Sequence, residues 1–334
     1  MQIPFILTNN RCEVHLQLHA MRYSFLKRPK YVITREVVHP SVLKVVQIKD
    51  GISYYVMAVT PYPSLDARWE NPSIVFSSDG TQWYEGKVSN PVFPPPKDAV
   101  VSRGPHNCDP EIVFHQRSKR ALLYFINWED GRALLRVLMS KDFITWLDLG
   151  PTNIETILPN KEIRASPSIV YLENEDKFIL FIVRDDLNMK SMRRIEVFTS
   201  NDGLSWHKSG EASNVVSTYE GSRFFPWHIS VRKVDEEYWM IAAMNHGNLG
   251  SPPMYLFFFR SYDGIQWEGY EHPLLVTSNS GFDDGKLYRS DFLVDNSEVH
   301  LWYSAMSREN KFSIGYISGK TRIQKSKSNN IVLY

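Results

Sequence analysis

The sequence predicts an all-β protein, a five-bladed β-propeller built from four-stranded antiparallel blades. Three observations carry this. A phrase of Ser, Asp and usually Gly, closed by Trp, recurs as Ser77-Ser78-Asp79-Gly80-Thr81-Gln82-Trp83, Ser140-Lys141-Asp142-Phe143-Ile144-Thr145-Trp146, Ser200-Asn201-Asp202-Gly203-Leu204-Ser205-Trp206 and Ser261-Tyr262-Asp263-Gly264-Ile265-Gln266-Trp267. The tryptophans stand at 83, 146, 206 and 267, in steps of 63, 60 and 61 residues. A second phrase, a short polar residue often followed by Pro and running into β-branched residues, starts at His39, Asp109, Ser166, Pro226 and Arg289, which makes five copies. Helix signals are almost absent. A fixed period of this size marks a repeated supersecondary unit. Asp-Gly supplies the positive φ of a tight hairpin turn, and the trailing Trp offers a large ring to seal one blade against the next.

Each element follows from the repeat. The head phrases are the innermost strands, because Pro is tolerated at a strand's first residue, where no ladder donor is needed. Second strands follow over 54–59, 122–127, 178–183, 238–243 and 299–304, all apolar and aromatic as strands covered on both faces should be. Third strands lead to the Ser/Asp/Gly turns over 73–76, 134–139, 194–199 and 255–260, with 312–317 as the fifth. Fourth strands belong in the less regular sequence after each Trp. An apolar-polar alternation from Cys12 to Leu18 is expected to close the ring by adding a strand to the last blade. One domain over 1–320 results, and 321–334 reads as a polar tail.

Composition removes several function classes. The 38 basic and 37 acidic residues nearly cancel, so there is no basic face of the kind nucleic acid requires. Only Cys12 and Cys108 occur, far apart and outside any metal spacing, which points to two free thiols in a reducing compartment. The first residues lack the charged and apolar regions of a signal peptide, and the apolar runs are strand-length. The expected location is the cytoplasm, or a virion if the gene belongs to a phage. No membrane insertion is expected.

Antiparallel order places the head phrases on one face together with the loops 60–72, 127–133, 184–193, 244–253 and 305–311. These loops hold Glu70, Trp128, Glu129, Arg184, Asp185 and His246. The short Asp-Gly turns fall on the opposite face, so function belongs over the channel on the first. The two-residue strand period sorts the head phrases into an outer column of His39, Asp109, Ser166, Pro226 and Arg289 and a deeper one of Ser41, Glu111, Ser168, His228 and Asp291. Asp109, Glu111 and Asp291 then share one funnel with His39, His228 and Arg289, an arrangement able to separate the pKa values of an acid and a base. Trp128 and Trp227 flank it as stacking platforms, with Glu129, Arg184, Asp185 and His246 as further substrate contacts. Asp185-Asp186 and Asp283-Asp284 lack calcium-loop spacing, so neither a metal nor another cofactor is assigned.

Five blades, Asp109-Pro110 opening an inner strand, and the Ser-x-Asp-Gly-x-x-Trp closers resemble the arabinanase, levansucrase and invertase superfamily of five-bladed glycoside hydrolases. The resemblance covers about residues 35–320. It implies a carboxylate at the head of the first blade, a second-blade Asp that stabilises the transition state, and a Glu from a later blade as acid. Asp109 matches the second of these. His39 stands where the first carboxylate belongs, Ser166 heads the third blade, and Glu220-Gly221 sits several residues upstream of its inner strand.

Three functions follow. One is a carbohydrate-active hydrolase with a rearranged carboxylate pair, Asp109 acting with Glu111, Asp291, Asp185 or Glu129. Another is a non-catalytic glycan-binding or receptor-binding propeller, and the third a protein-interaction scaffold. A carbohydrate partner is favoured over a protein one. Whether the chain is an enzyme stays open at this point; if it is, a glycoside hydrolase is expected.

Overall fold

The computed structural model describes residues 3–24, 26–47, 53–99, 104–129, 131–159, 162–186, 193–246, 252–322 and 331–333. Five antiparallel sheets form a five-bladed β-propeller. The innermost strands are Val37–Gln47, Asn107–His115, Glu162–Leu172, Ser222–Val234 and Lys286–Asp295, one per blade from I to V. Each pairs with the strand that follows it and touches the inner strands of its two neighbours, so the ring closes from blade V to blade I. The core lies between blades, as with Trp83, Tyr55 and Trp302 between I and V, and Trp206, Tyr124 and Phe178 between II and III. No described helix is long and apolar enough to cross a membrane.

The repeated turn is a small hydrogen-bonded machine. Ser77 Oγ accepts from the amides of Asp79 and Gly80, and Asp79 Oδ1 accepts from those of Thr81 and Gln82. The Trp83 indole N–H returns to the Gly80 carbonyl at 3.0 Å. Gly80, Gly203 and Gly264 sit at φ of 79°, 72° and 75°. The second copy places Phe143 in the same conformation, φ 61°, and buries its ring fully.

The N-terminal segment supplies the outer strand of blade V, but through Phe5–Leu7, paired with Gly319–Thr321, and through Cys12–Glu13 on the same neighbour. His15–Leu16 leaves that sheet and pairs in parallel with Gln82–Trp83 of blade I. Leu18–Tyr23 pairs antiparallel with Pro29–Thr34, and the first of these strands packs against the loop of blade I. Within the segment read as a tail, Ile331–Leu333 adds a parallel strand to Val45–Gln47.

Every inner strand carries a bulge at its mouth, at residues 39–40, 109–110, 166–167, 227 and 288–289. His39, Asp109 and Ser166 take φ of 60°, 52° and 53° there, a conformation non-glycine residues adopt at a cost. In blades I to III this residue precedes Pro. The bulge re-aims its side chain toward the axis.

Candidate functional site

Two polar layers cross the channel below the mouth. The deeper one is Ser41, Glu111, Ser168, Ser230 and Asp291, and it is a closed belt. Ser41 Oγ accepts from the Ile112 amide, Glu111 from Ile169, Ser168 from Val231 and Asp291 from Val42, while Ser230 Oγ donates to Asp291. Each blade is thereby tied to the next. The outer layer is His39, Asp109, Ser166, His228 and Arg289. This corrects the columns read from the sequence: His228 belongs to the outer layer, and Ser230 takes its place below. The fourth blade's Pro226 stands before its single-residue bulge and is not equivalent to the residue that precedes Pro in blades I to III.

Glu111 and Asp291 therefore lie beneath the mouth with all four carboxylate oxygens engaged. Glu111 accepts from Ser41, Arg289, Ser168, Ile169 and Arg232, with Arg289 Nη2 at 2.9 Å and Arg232 Nη1 at 3.3 Å. Asp291 accepts from Val42, Ser230, its neighbour Phe292 and Arg232. Arg232 reaches from blade IV across the axis to carboxylates of blades II and V and is itself buried.

The outer layer is arranged differently. Asp109 Oδ1 lies 3.2 Å from His39 Nε2, 3.9 Å from His228 Nδ1 and 3.8 Å from Arg289 Nη1, while Oδ2 accepts from the Ser166 amide at 2.7 Å. His39 Nδ1 faces Thr60 Oγ1 at 3.0 Å and Glu70 Oε2 at 3.4 Å. His39, Asp109, Ser166, His228 and Arg289 come from inner strands, Thr60 from the second strand of blade I (Ser53–Pro61) and Glu70 from the loop after it, and all are buried. His39 Nε2, both ring nitrogens of His228, and Nε and Nη1 of Arg289 have no hydrogen-bond partner. Buried polar groups normally find partners, so an unpaired set converging on one carboxylate calls for an explanation.

Electrostatics sharpens the picture. Burial lowers the His39 pKa to about 4, against the pull of Asp109, and pushes His228 well below its ordinary value. Both imidazoles are neutral at neutral pH. Burial alone would raise Asp109, but His39, His228, Arg289 and the Ser166 amide outweigh it and hold the pKa at about 2. Glu70 goes the other way: burial, reinforced by Asp109, raises it well above the carboxylate range. A carboxylate anion between two neutral imidazoles thus stands beside a carboxyl whose ionisation burial and Asp109 disfavour.

The liganding atoms of His39, Asp109 and His228 lie within 4.8 Å of one another. Two neutral imidazoles and an anionic carboxylate are a donor set for a divalent first-row ion, with coordination positions left open. The unpaired imidazole nitrogens fit that role. Linear spacing does not disclose it, because the three residues sit at 39, 109 and 228 in different blades.

The remaining expected contacts divide. Asp185 and Trp227 reach the funnel wall: Arg193 lies 3.6 Å from Asp185 and over the Trp227 ring, whose indole donates to Tyr288 Oη at 3.3 Å. Tyr288 in turn packs 4.2 Å from the His228 ring. Trp128, half-buried, stands against His106, whose own pKa is lowered by burial. Arg184 points elsewhere, into a cluster with Glu162 and the buried Glu196. Glu129 stands opposite Arg132 at the end of its hairpin, and His246 is exposed with its ring edge against Phe224. The adjoining loops 187–192 and 247–251 lie outside the described residues. Sequence reasoning gave no role to Glu70, His106, Tyr288, Arg193 or Arg232. A His three residues before Asp109 was the one local signal available.

No family model matches the chain. It is 28% identical over 334 residues to the A type blood N-acetyl-alpha-D-galactosamine deacetylase of Flavonifractor plautii, covering 86% of this chain and 42% of the relative. The chain thus spans about two fifths of that protein's length. A crystal structure of an N-acetylgalactosamine deacetylase from F. plautii, in complex with blood group B trisaccharide, superposes with a TM-score of 0.74 at 25% identity, covering 92% of this chain and 96% of that one. A glycoside hydrolase gives 0.64 at 12% identity over 97% and 96%, and a glycosyl hydrolase from Bacteroides ovatus 0.61 at 10% over 97% and 95%. The fold is that of the five-bladed glycoside-hydrolase propellers. The relatives include a carbohydrate deacetylase, so likeness to this group does not by itself specify glycosidic cleavage.

Proposed function

We propose that the chain is a carbohydrate deacetylase, hydrolysing the amide of an N-acetylated sugar to a free amine and acetate at a divalent ion held by His39, Asp109 and His228. The observation that carries this is the outer layer itself, one anion between two neutral imidazoles, with His39 Nε2 and both His228 ring nitrogens lacking a hydrogen-bond partner. The similarity to a deacetylase supports the choice of bond. When bound, a divalent ion there polarises the amide carbonyl and lowers the pKa of water. Glu70 is our candidate for handling protons: its carboxyl lies 3.4 Å from His39 Nδ1, and burial together with Asp109 raises its pKa, the direction a carboxyl acid–base group requires. In that role it would take the proton of the attacking water and pass it to the departing nitrogen. Arg289 and the Ser166 amide hold Asp109 ionised and oriented. Trp227 and Trp128 offer faces to the sugar. Glu111 and Asp291 serve the belt beneath, and the carboxylate-pair reading loses ground because neither has an oxygen to spare.

The test uses N-acetylated oligosaccharides, with acetate and new reducing ends measured in parallel, after dialysis against chelator and after restoring Zn²⁺ or Mn²⁺. Acetate should appear only with metal and should vanish in Asp109→Asn and Glu70→Gln. Reducing ends without acetate would establish a glycosidase instead, and binding with neither product a lectin.

A further inference from the structure

Above Arg289 the inner strand of blade V carries Tyr288 and Lys286, while Leu287 between them faces the core. The Phe312 ring lies 5.6 Å from Tyr288 and 5.6 Å from Tyr62 of blade I. Tyr62, Phe312, Tyr288 and His228 thus form one continuous ring-lined wall leading down to the His39–Asp109–His228 group. Lys286 Nζ rests over the middle of it, 5.1 Å from the Tyr288 centroid and 5.4 Å from that of Phe312. Ring faces hold an ammonium in place. Burial lowers the Lys286 pKa to about 8, which leaves it mostly charged at neutral pH.

Two residues along a strand span about 7 Å, roughly the breadth of a sugar ring. A sugar with its acetamido group at the Asp109 end would lie along this wall with its far substituents near Lys286. A half-buried ammonium discriminates strongly here. Charge-assisted hydrogen bonds are about twice as strong as neutral ones, and a low local dielectric widens the gap between an anion and a hydroxyl.

We propose that the Tyr62–Phe312–Tyr288 wall is the sugar subsite and that Lys286 makes it selective for an N-acetylated glycan bearing an anionic substituent, a carboxylate or a sulfate, on that ring or the next. This rests on the deacetylase reading. The test compares matched N-acetylhexosamine oligosaccharides that are neutral, sulfated or uronic-acid-bearing. The ratio of kcat/KM for anionic over neutral substrate should exceed one in the native protein and fall on the order of 10- to 100-fold in Lys286→Met. Lys286→Arg should keep it, and the sulfated and carboxylated arms identify which anion is read. A native ratio near one, or a Met variant that lowers both substrates in proportion, overturns the proposal. If no substrate yields acetate, the deacetylase reading fails, and calorimetric binding of the same glycans decides on the subsite. Anionic preference lost in Lys286→Met sustains it; equal or absent binding sinks it. Should Lys286→Met not fold, Lys286→Gln and the native preference carry the same decision.

Discussion

Replacing Arg232 by Met tests whether the deep carboxylates are framework. The guanidinium is the charge on the axis that meets both Glu111 and Asp291, and all three groups are buried. Glu111 keeps Arg289 in the variant; Asp291 keeps only hydroxyl and amide donors. Removing one partner of a buried ion pair costs about 3–5 kcal/mol. The methionine stem preserves most of the apolar packing and offsets about 1 kcal/mol. A net loss of about 2–4 kcal/mol is expected, a large share of the 5–15 kcal/mol typical of a folded protein. Urea unfolding reads it as a fall in midpoint at constant slope. Adding Asp291→Asn removes the stranded charge and should recover a substantial part, so the double variant is more stable than the single. A single-variant loss below about 1 kcal/mol, or a double variant no better than Arg232→Met, refutes the belt as an electrostatic unit.

Other perturbations follow from the same structure. Burial alone would raise Glu196, but Arg164, Lys208 and Arg184 hold it at about 2 against an ordinary value of 4.5. A depressed folded pKa means stability present above about 4.5 and lost as pH falls toward 2, amounting to about 3 kcal/mol; acid unfolding of Glu196→Gln should lack that portion. Phe143→Gly relieves about 1–2 kcal/mol of left-handed strain but deletes a buried ring worth about 3–5 kcal/mol, so its melting temperature should fall. Gly203→Ala should also destabilise, by about 1–3 kcal/mol, since a Cβ there would stand 2.5 Å from Tyr124 Oη at φ +72°. Metal added to chelated protein should raise the melting temperature, with no rise in His228→Asn.

The architecture was legible because every blade must solve one packing problem, and the solution leaves the same turn and the same Trp each time. Inner, second and third strands fell within a few residues of their expected bounds. The site was legible as a place. Asp109, His39, His228 and Arg289 converge there as the strand order requires. Its internal order was not, because the period of two breaks wherever a strand bulges, and all five inner strands bulge at the mouth. That displaced His228 by a layer. Glu70 and Tyr288 depend on where a loop and a bulge turn a side chain, and Arg232 on a reach across the axis; none of these leaves a periodic trace. Arg184 and Asp185 were named together, yet adjacent strand residues face opposite ways, and only Asp185 turns to the funnel.

The strand that completes blade V has a temporal consequence. Phe5–Leu7 leaves the ribosome long before Gly319–Thr321, its hydrogen-bonding neighbour. At translation rates of about 5–20 residues per second the wait is on the order of tens of seconds. Blades II and III, each built from consecutive strands, are free to assemble meanwhile. Blade V has to wait for the two segments to meet. Arg11, bonded to the Val276 carbonyl and to Asp283, is the fastening beside that joint. Weakening it should therefore slow the last step of maturation in a cell more than it lowers the stability of the finished ring.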